Sequence, residues 1–497
     1  MPSKAQLRRD FLASAATAVL AQLPLSSKIC ASSVSAGDDL ILGSAIDLAK
    51  AIRSRQVSSE QAVQACLRRI EEVNPKINAV VTLCGKEALD QARKADKDLS
   101  EGICRGPWHG VPMTIKDSLD TAGVTTTAGT EGRRDYVPSN GATVVARLLK
   151  SGAILLGKTN TPEITLDFRT DNLLFGSTRN PYNTSKSPGG SSGGSAAIVA
   201  AGGSPFDIGS DTGGSIRVPS GYCGTAGIKP TSGRVPRTGH IIGFDVGYRE
   251  PLTQLGPIAR FVDDLFPLLR TIAGPDGDDP GVVAMPLLDP REVDVSCLRI
   301  AFHSDNGVVS ADNDVKEVVE NAASAMKNAG STVVHECPKP LASLMDIWWD
   351  EISSDGGEHV RHILERAGTT TWSHSVLYAK ILKPIPGDDL NRFLRSWQEF
   401  RADMHRFLTE YDAILCPVTA YASLPVEYSV SAMLAGFSYT YAYNLTGWPG
   451  AVMRGGTSYD GVPIGVQIVA RPWREDVCLA VATYLEHVLG GWKKPPL

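Results

Sequence analysis

Three segments of this chain carry side chains suited to a single reaction. An apolar run, Val111-Pro112-Met113-Thr114-Ile115, ends in Lys116-Asp117. Two serine-glycine clusters follow, Gly189-Gly190-Ser191-Ser192-Gly193-Gly194-Ser195 and Asp211-Thr212-Gly213-Gly214-Ser215-Ile216-Arg217. Acyl transfer needs an activated nucleophile, a proton for the departing group and donors aimed at a tetrahedral oxyanion. A serine hydroxyl is too weakly acidic to attack unaided. A lysine can serve as its base only when neutral, which requires burial or neighbouring positive charge. A second serine between the two can take one proton and pass on another. Lys116, a serine of the first cluster and Ser215 therefore supply the parts of a hydrolase that works without histidine. The glycines let the backbone approach a substrate and point several N–H groups at one place.

Two other motifs compete for attention. Gly152-Ala153-Ile154-Leu155-Leu156-Gly157-Lys158-Thr159 matches the GxxxxGK[ST] phosphate loop letter for letter. In a true phosphate loop the intervening residues form an open turn after a strand, whereas Ala-Ile-Leu-Leu is itself a strand sequence. Gly189-Gly190-Ser191-Ser192-Gly193 fits the GxSxG nucleophile elbow, which needs a downstream acid and histidine. His303, His335, His359, His362 and His374 follow it, none within a motif. Cys223 lies eight residues beyond Ser215 and reads as a small buried side chain, not as a thiol nucleophile.

At these residues the chain resembles the amidase signature family. The resemblance runs through Gly110 to Asp117, the first serine-glycine cluster, Gly209-Ser210-Asp211 to Arg217, and Gly224-Thr225-Ala226-Gly227-Ile228-Lys229-Pro230-Thr231. It also takes in Arg69-Ile70-Glu71, Asn74-Pro75, Asn444 to Pro449 and Gly465-Val466-Gln467. It implies Ser215 as nucleophile, Lys116 as base and Ser191 as the bridging serine, held by a cis peptide, with Ser192 as the fallback. It implies an oxyanion hole of Thr212, Gly213, Gly214 and Ser215 N–H groups, and Asp211 and Arg217 as supports of the turn. The activity implied is hydrolysis of a carboxamide or related acyl-nitrogen bond through a serine acyl-enzyme, with no metal and no organic cofactor. Two alternatives stay open: the glutaminase component of a multi-chain amidotransferase, and an esterase or carbamate hydrolase with the same three side chains.

These residues must be positioned by regular elements. Ser44 is an N-cap before the helical spacing of Ala45, Leu48, Ala49 and Ile52. Ser58 to Gln61 is a capping box for a second helix, which Pro75 is expected to stop. Ala79 to Leu83, Val111 to Ile115, Ala153 to Leu156 and Phe206 to Ile208 read as strands. Ala196 to Ala201 reads as a helix of small residues that must pack closely on something. Between His240 and Pro417 the texture changes to helices and long loops covering one face of the sheet, rich in aromatics such as Trp348, Trp349, Trp372, Tyr378 and Trp397. Strands return at Ala413-Ile414-Leu415 and Ile464 to Ile468. Alternating helix and strand signals without a linker imply one large α/β/α sandwich with a central mixed, mostly parallel sheet.

Composition bounds the remaining classes. The 497-residue chain is 42% apolar and 21% charged, with net charge -5 and no dense basic stretch beyond the N-terminus, which argues against a nucleic-acid surface. The first 36 residues stand apart. Arg8-Arg9-Asp10-Phe11-Leu12 precedes an alanine-rich apolar stretch, and Val34-Ser35-Ala36 offers a peptidase site, the pattern of a twin-arginine export signal. The expected domains are therefore 1-36, the signal, and 37-497, the amidase domain, with a periplasmic or secreted location. The apolar part is too short to span a membrane and is broken by Gln22 and Pro24, so no stable membrane insertion is expected. The signal carries +3 from Lys4, Arg8, Arg9 and Lys28 against Asp10, so its removal leaves about -8. The nine cysteines show no CxxC pairing, and export after folding favours free thiols. The expected partner is a small-molecule amide, on a monomer or homodimer.

Overall fold

The computed structural model describes residues 41–244, 252–380 and 382–497; the expected export signal lies outside them. Residues Ala36–Leu497 form one compact unit. Among the described residues, no helix is long and apolar enough to cross a membrane.

Eleven strands are described: β1 (Val80–Leu83), β2 (Pro112–Lys116), β3 (Ile154–Thr159), β4 (Phe206–Asp211), β5 (Ala226–Lys229), β6 (Gln254–Ala259), β7 (Arg299–Phe302), β8 (Thr332–His335), β9 (Ala413–Pro417), β10 (Gly450–Thr457) and β11 (Pro463–Ala470). They make a three-stranded sheet, β1-β3-β2, and an eight-stranded sheet, β4-β6-β5-β10-β11-β9-β7-β8. The small sheet abuts the large one where the Thr114 N–H of β2 donates to Ser204 Oγ, just before β4, at 3.0 Å. The expected sandwich and its mixed central sheet are present, but the sheet is not mostly parallel. Among the described strands of the large sheet, five pairings are antiparallel and only β7 with β8 and with β9 are parallel. Strands covered on both faces read as continuous apolar runs whichever way they point, so the pattern carries no directional information.

The stretch from His240 to Pro417 is more than a cover, because it contributes β6, β7 and β8 besides β9 at its end. Strand β6 sits between β4 and β5, at the heart of the site's support. Its sequence, Gln254-Leu255-Gly256-Pro257-Ile258-Ala259, carries two residues that normally mark turns. Gly256 is there for close approach: a Cβ would lie 2.0 Å from the Ile228 carbonyl oxygen of β5.

Local signals fared well at helix starts. Ser44 Oγ accepts from the Asp47 N–H at 3.0 Å, and the Ser58–Gln61 capping box is closed in both directions. Pro75 does not stop its helix, which runs Ser59–Ile77. The chain turns instead at Asn78, in left-handed geometry, because the Asn74 carboxamide clamps the next strand. Its Oδ1 accepts from the N–H groups of Ala79 and Val80, each at 2.8 Å. The small-residue helix, Gly193–Ala200, is buried along its whole length. It packs on the end of β3 so tightly that a Cβ on Gly194 would lie 2.4 Å from the Asn160 nitrogen.

Candidate active site

Strand β2 is buried at every position, and its last residue, Lys116, ends inside the molecule. The Lys116 amine has three hydroxyl neighbours: Ser191 Oγ at 2.7 Å, Ser192 Oγ at 2.9 Å and Ser210 Oγ at 3.0 Å. No carboxylate lies within ion-pairing distance of it among the described residues. Burial pushes its pKa well below the ordinary lysine value, against a weaker opposing pull from the charges of Asp211 and Asp207. A neutral amine has two N–H donors and one lone pair, so one of the three hydroxyls must donate to it. Ser192 Oγ already donates to the Ser210 carbonyl at 3.3 Å. Ser191 Oγ and Ser210 Oγ, whose hydrogen-bond partner among the described residues is Lys116, are both placed to donate, and Ser191 Oγ is the nearer.

The Gly190–Ser191 peptide is cis, as the resemblance implies. The next residue ties this turn to the second cluster, since the Ser192 N–H donates to the Ser215 carbonyl at 3.1 Å. The serine-glycine turn thus lies between Lys116 and Ser215. Ser210 was not among the expected site residues. Its signal was present in the sequence, because β4 delivers Ser210 and Asp211 just before the glycine turn.

That turn is held by a buried ion pair. Arg217 donates from Nε to Asp211 Oδ2 at 3.0 Å and from Nη2 to Asp211 Oδ1 at 2.9 Å. Asp211 also accepts the N–H groups of Gly214 at 2.8 Å and Ile216 at 3.1 Å, and the Asn444 amide at 2.9 Å. Burial alone would raise the Asp211 pKa, but the Arg217 charge and hydrogen bonds outweigh it and hold the carboxyl well below its usual range. Arg217 Nη1 continues to Gln467 Oε1 at 2.7 Å and the Thr440 carbonyl at 3.0 Å. Asp211 and Arg217 are thus joined in one buried network with Asn444 and Gln467.

One member of the expected oxyanion set departs from it. The Gly214 N–H is spent on Asp211, while Thr212, Gly213 and Ser215 line the adjoining cavity. Backbone groups cannot be told apart in this way from a one-letter sequence, since their acceptors are set by the turn.

Thr212, Gly213 and Ser215 open onto a cavity of about 560 Å³, a size suited to a small organic molecule. Phe168, Trp348, Trp349, Tyr378 and Tyr428 supply its aromatic walls. Two stacks stiffen them: Trp348 on Tyr441, with ring centroids 3.9 Å apart, and Phe168 on Phe437, at 4.2 Å. The aromatic region therefore divides. Trp397 is buried in the core, its indole N–H donating to the Leu445 carbonyl at 2.9 Å, while Trp372 lies under the Lys380 amine. Phe168, Asp167, Arg169 and Tyr428 were not foreseen, because they come from loops whose approach to Ser215 depends on the whole fold.

The competing motifs resolve clearly. Ile154 to Thr159 is strand β3, and the Lys158 amine is buried on the Leu119 carbonyl, Thr121 Oγ1 and Thr126 Oγ1. That leaves no open phosphate loop. Among the described residues no histidine hydrogen-bonds Ser191 or Ser215, so the elbow reading lacks its base. Cys223 is buried, its thiol pKa pushed up by burial, and the eight described cysteines are unpaired.

The geometry agrees with comparisons to known proteins. The Amidase family model matches residues 61–479. An acylamidase of Rhodococcus erythropolis is 32% identical over 485 residues, 91% of this chain and 97% of that protein. A glutamyl-tRNA(Gln) amidotransferase chain of Heliobacterium modesticaldum is 32% identical over 478 residues, 89% of this chain and 96% of that protein. Among solved structures, 6-aminohexanoate cyclic dimer hydrolase complexed with substrate superposes with a TM-score of 0.81 at 26% identity, covering 92% of this chain and 99% of the other. A lysine buried among serine hydroxyls, beside a glycine turn that opens on a cavity, is thus joined to a match over most of the sequence, and the chain belongs to the amidase signature family of serine hydrolases acting on amide bonds.

Proposed function

We propose that this protein hydrolyses a small-molecule amide by attack of Ser215, with Ser191 carrying the proton to Lys116. The observation that carries this reading is the buried amine surrounded by three hydroxyls, with no carboxylate within ion-pairing distance among the described residues. Ser191 gives its proton to the amine and takes one from Ser215 Oγ as that oxygen adds to the substrate carbonyl. The carbonyl oxygen becomes the oxyanion and is met by the N–H groups of Thr212, Gly213 and Ser215. Collapse of the tetrahedral adduct breaks the C–N bond, with the proton returned through Ser191 to the leaving nitrogen. A water molecule then repeats the sequence on the acyl-enzyme. Asp211 and Arg217 act as positioning residues, fixing the turn on which these donors sit.

The test is mass spectrometry after mixing with a panel of amides. An acyl adduct on Ser215 is expected, lost in Ser215→Ala and slow to form in Lys116→Met. An adduct elsewhere, or full turnover without Ser215, overturns the reading. The aromatic cavity favours an apolar or aryl group over free glutamine, and release of ammonia from glutamine would instead support the glutaminase reading. Ester and carbamate panels run alongside, since the same steps serve them. Arg8-Arg9 and the apolar stretch after it support twin-arginine export, which a reporter fusion to residues 1–40 would check.

A further inference from the structure

We infer that the cavity selects amides bearing a second, basic nitrogen away from the scissile bond, recognised by the carboxylate of Asp167. The inference rests on the reading of this cavity as the substrate site. Asp167 lines the same cavity as Ser215, although its side chain is only 2% exposed. One carboxylate oxygen, Oδ1, accepts the Arg169 N–H at 3.1 Å. The other, Oδ2, is buried without a hydrogen-bond partner among the described residues. A buried carboxylate oxygen left without a donor is costly, and a ligand that brings one is correspondingly favoured.

The surrounding groups show why the missing partner is a cation. His374 Nε2 lies 3.4 Å from Oδ2, but that nitrogen also meets Arg169 Nη2. The contact with His374 is not a hydrogen bond, since Oδ2 has none among the described residues. The guanidinium is itself engaged, donating from Nη1 to the Tyr428 carbonyl at 3.2 Å and lying 3.4 Å from Asp171 Oδ2. Among the described residues the guanidinium pairs with Asp171, whereas Asp167 meets Arg169 through its backbone N–H. The His374 side chain is half exposed, so its ring can swing aside and admit an ammonium to Oδ2. Phe168, next in sequence, lies within contact distance of the position a Gly213 Cβ would occupy, which joins this acidic end to the glycine turn.

The experiment compares pairs of substrates that differ only in ending in an ammonium or a methyl group. One set carries this group on the acyl side, as ω-aminoacyl and alkanoyl p-nitroanilides. The other carries it on the amine side, as N-acyl diamines and N-acyl alkylamines, each at three chain lengths. In at least one set the wild type should favour the ammonium member in kcat/KM by at least about tenfold. In Asp167→Asn the ratio should fall towards one. No preference in either set, or a preference that survives Asp167→Asn, overturns the inference. Should that variant not fold, the wild type decides alone: n-hexylamine must inhibit anilide hydrolysis at least tenfold more strongly than n-hexanol, and equal inhibition overturns it. Acyl-adduct formation on Ser215 is followed in parallel. An intact adduct without amine preference sinks this inference only, whereas a missing adduct sinks the reading beneath it.

Discussion

Replacing Lys116 with methionine separates the cost of a buried neutral amine from its use. Methionine nearly matches the lysine stem in volume, so the packing of β2 is kept and no large cavity opens. Activity should fall by at least ~10³ in kcat/KM, or about 4 kcal/mol of transition-state stabilisation. Stability should move the other way. The folded pKa of Lys116 lies well below its ordinary value because of burial, so between that pKa and the unfolded lysine value the unfolded chain binds one proton more. Wild-type stability then rises with pH, relative to the variant, by about 1.4 kcal/mol per unit. Within that window each pH unit should change the difference between the two proteins by about 1.4 kcal/mol. Lys158, pushed down to about 8, and Lys229, pushed down to about 7, both by burial, titrate in the same range. They are present in both proteins and cancel in the difference. The assay is urea denaturation of both proteins at several pH values, paired with amide turnover. A stability difference that does not vary with pH would show that the amine is charged in the fold, and the proposed base would be lost with it.

Three further outcomes follow from the same geometry. The acid limb of the kcat/KM profile should rise with a midpoint below 10.5, the ordinary lysine value, because the base acts only when unprotonated; a flat profile from pH 5 to 10 counts against it. Asp211→Asn leaves the Arg217 guanidinium buried without its counter-charge, and should cost about 3–5 kcal/mol of stability, measured by chemical denaturation, together with turnover. Gly213→Ala places a Cβ 2.9 Å from Trp348 Cη2 and 3.4 Å from Phe168 Cζ. It should cost about 1–3 kcal/mol and lower kcat/KM, with partial recovery in the double variant with Trp348→Leu; wild-type kinetics for Gly213→Ala would show that the wall yields.

The reactive residues were legible because their chemistry demands rare local arrangements. A lysine closing a largely apolar strand, and serines set between glycine pairs, have few other uses, and Lys116, Ser191 and Ser215 were picked out on that basis together with the family resemblance. Ser192 and Ser210 show the limit. Both touch the same amine, yet a serine in a glycine-rich turn or an apolar strand gives no sign of which neighbour its hydroxyl will meet.

Strand direction and substrate recognition lay beyond the one-dimensional pattern. The alternation of apolar runs marks which segments are buried, and buried strands look alike whether parallel or antiparallel, so the largely antiparallel sheet emerges only from the packing. Strand β6 was hidden by Gly256 and Pro257, whose place in a sheet depends on the neighbour that presses against them. The same holds for the cavity. Phe168, Trp348 and Tyr428 are far apart along the chain, and the bare carboxylate oxygen of Asp167 is defined by what surrounds it. The amino-acid sequence by itself determined the reactive groups and the elements that carry them, because these depend on residue type and short spacing. The tertiary structure decided which hydroxyls surround the lysine, which N–H groups remain to be used and what the walls can bind, because those depend on contacts between residues remote in sequence.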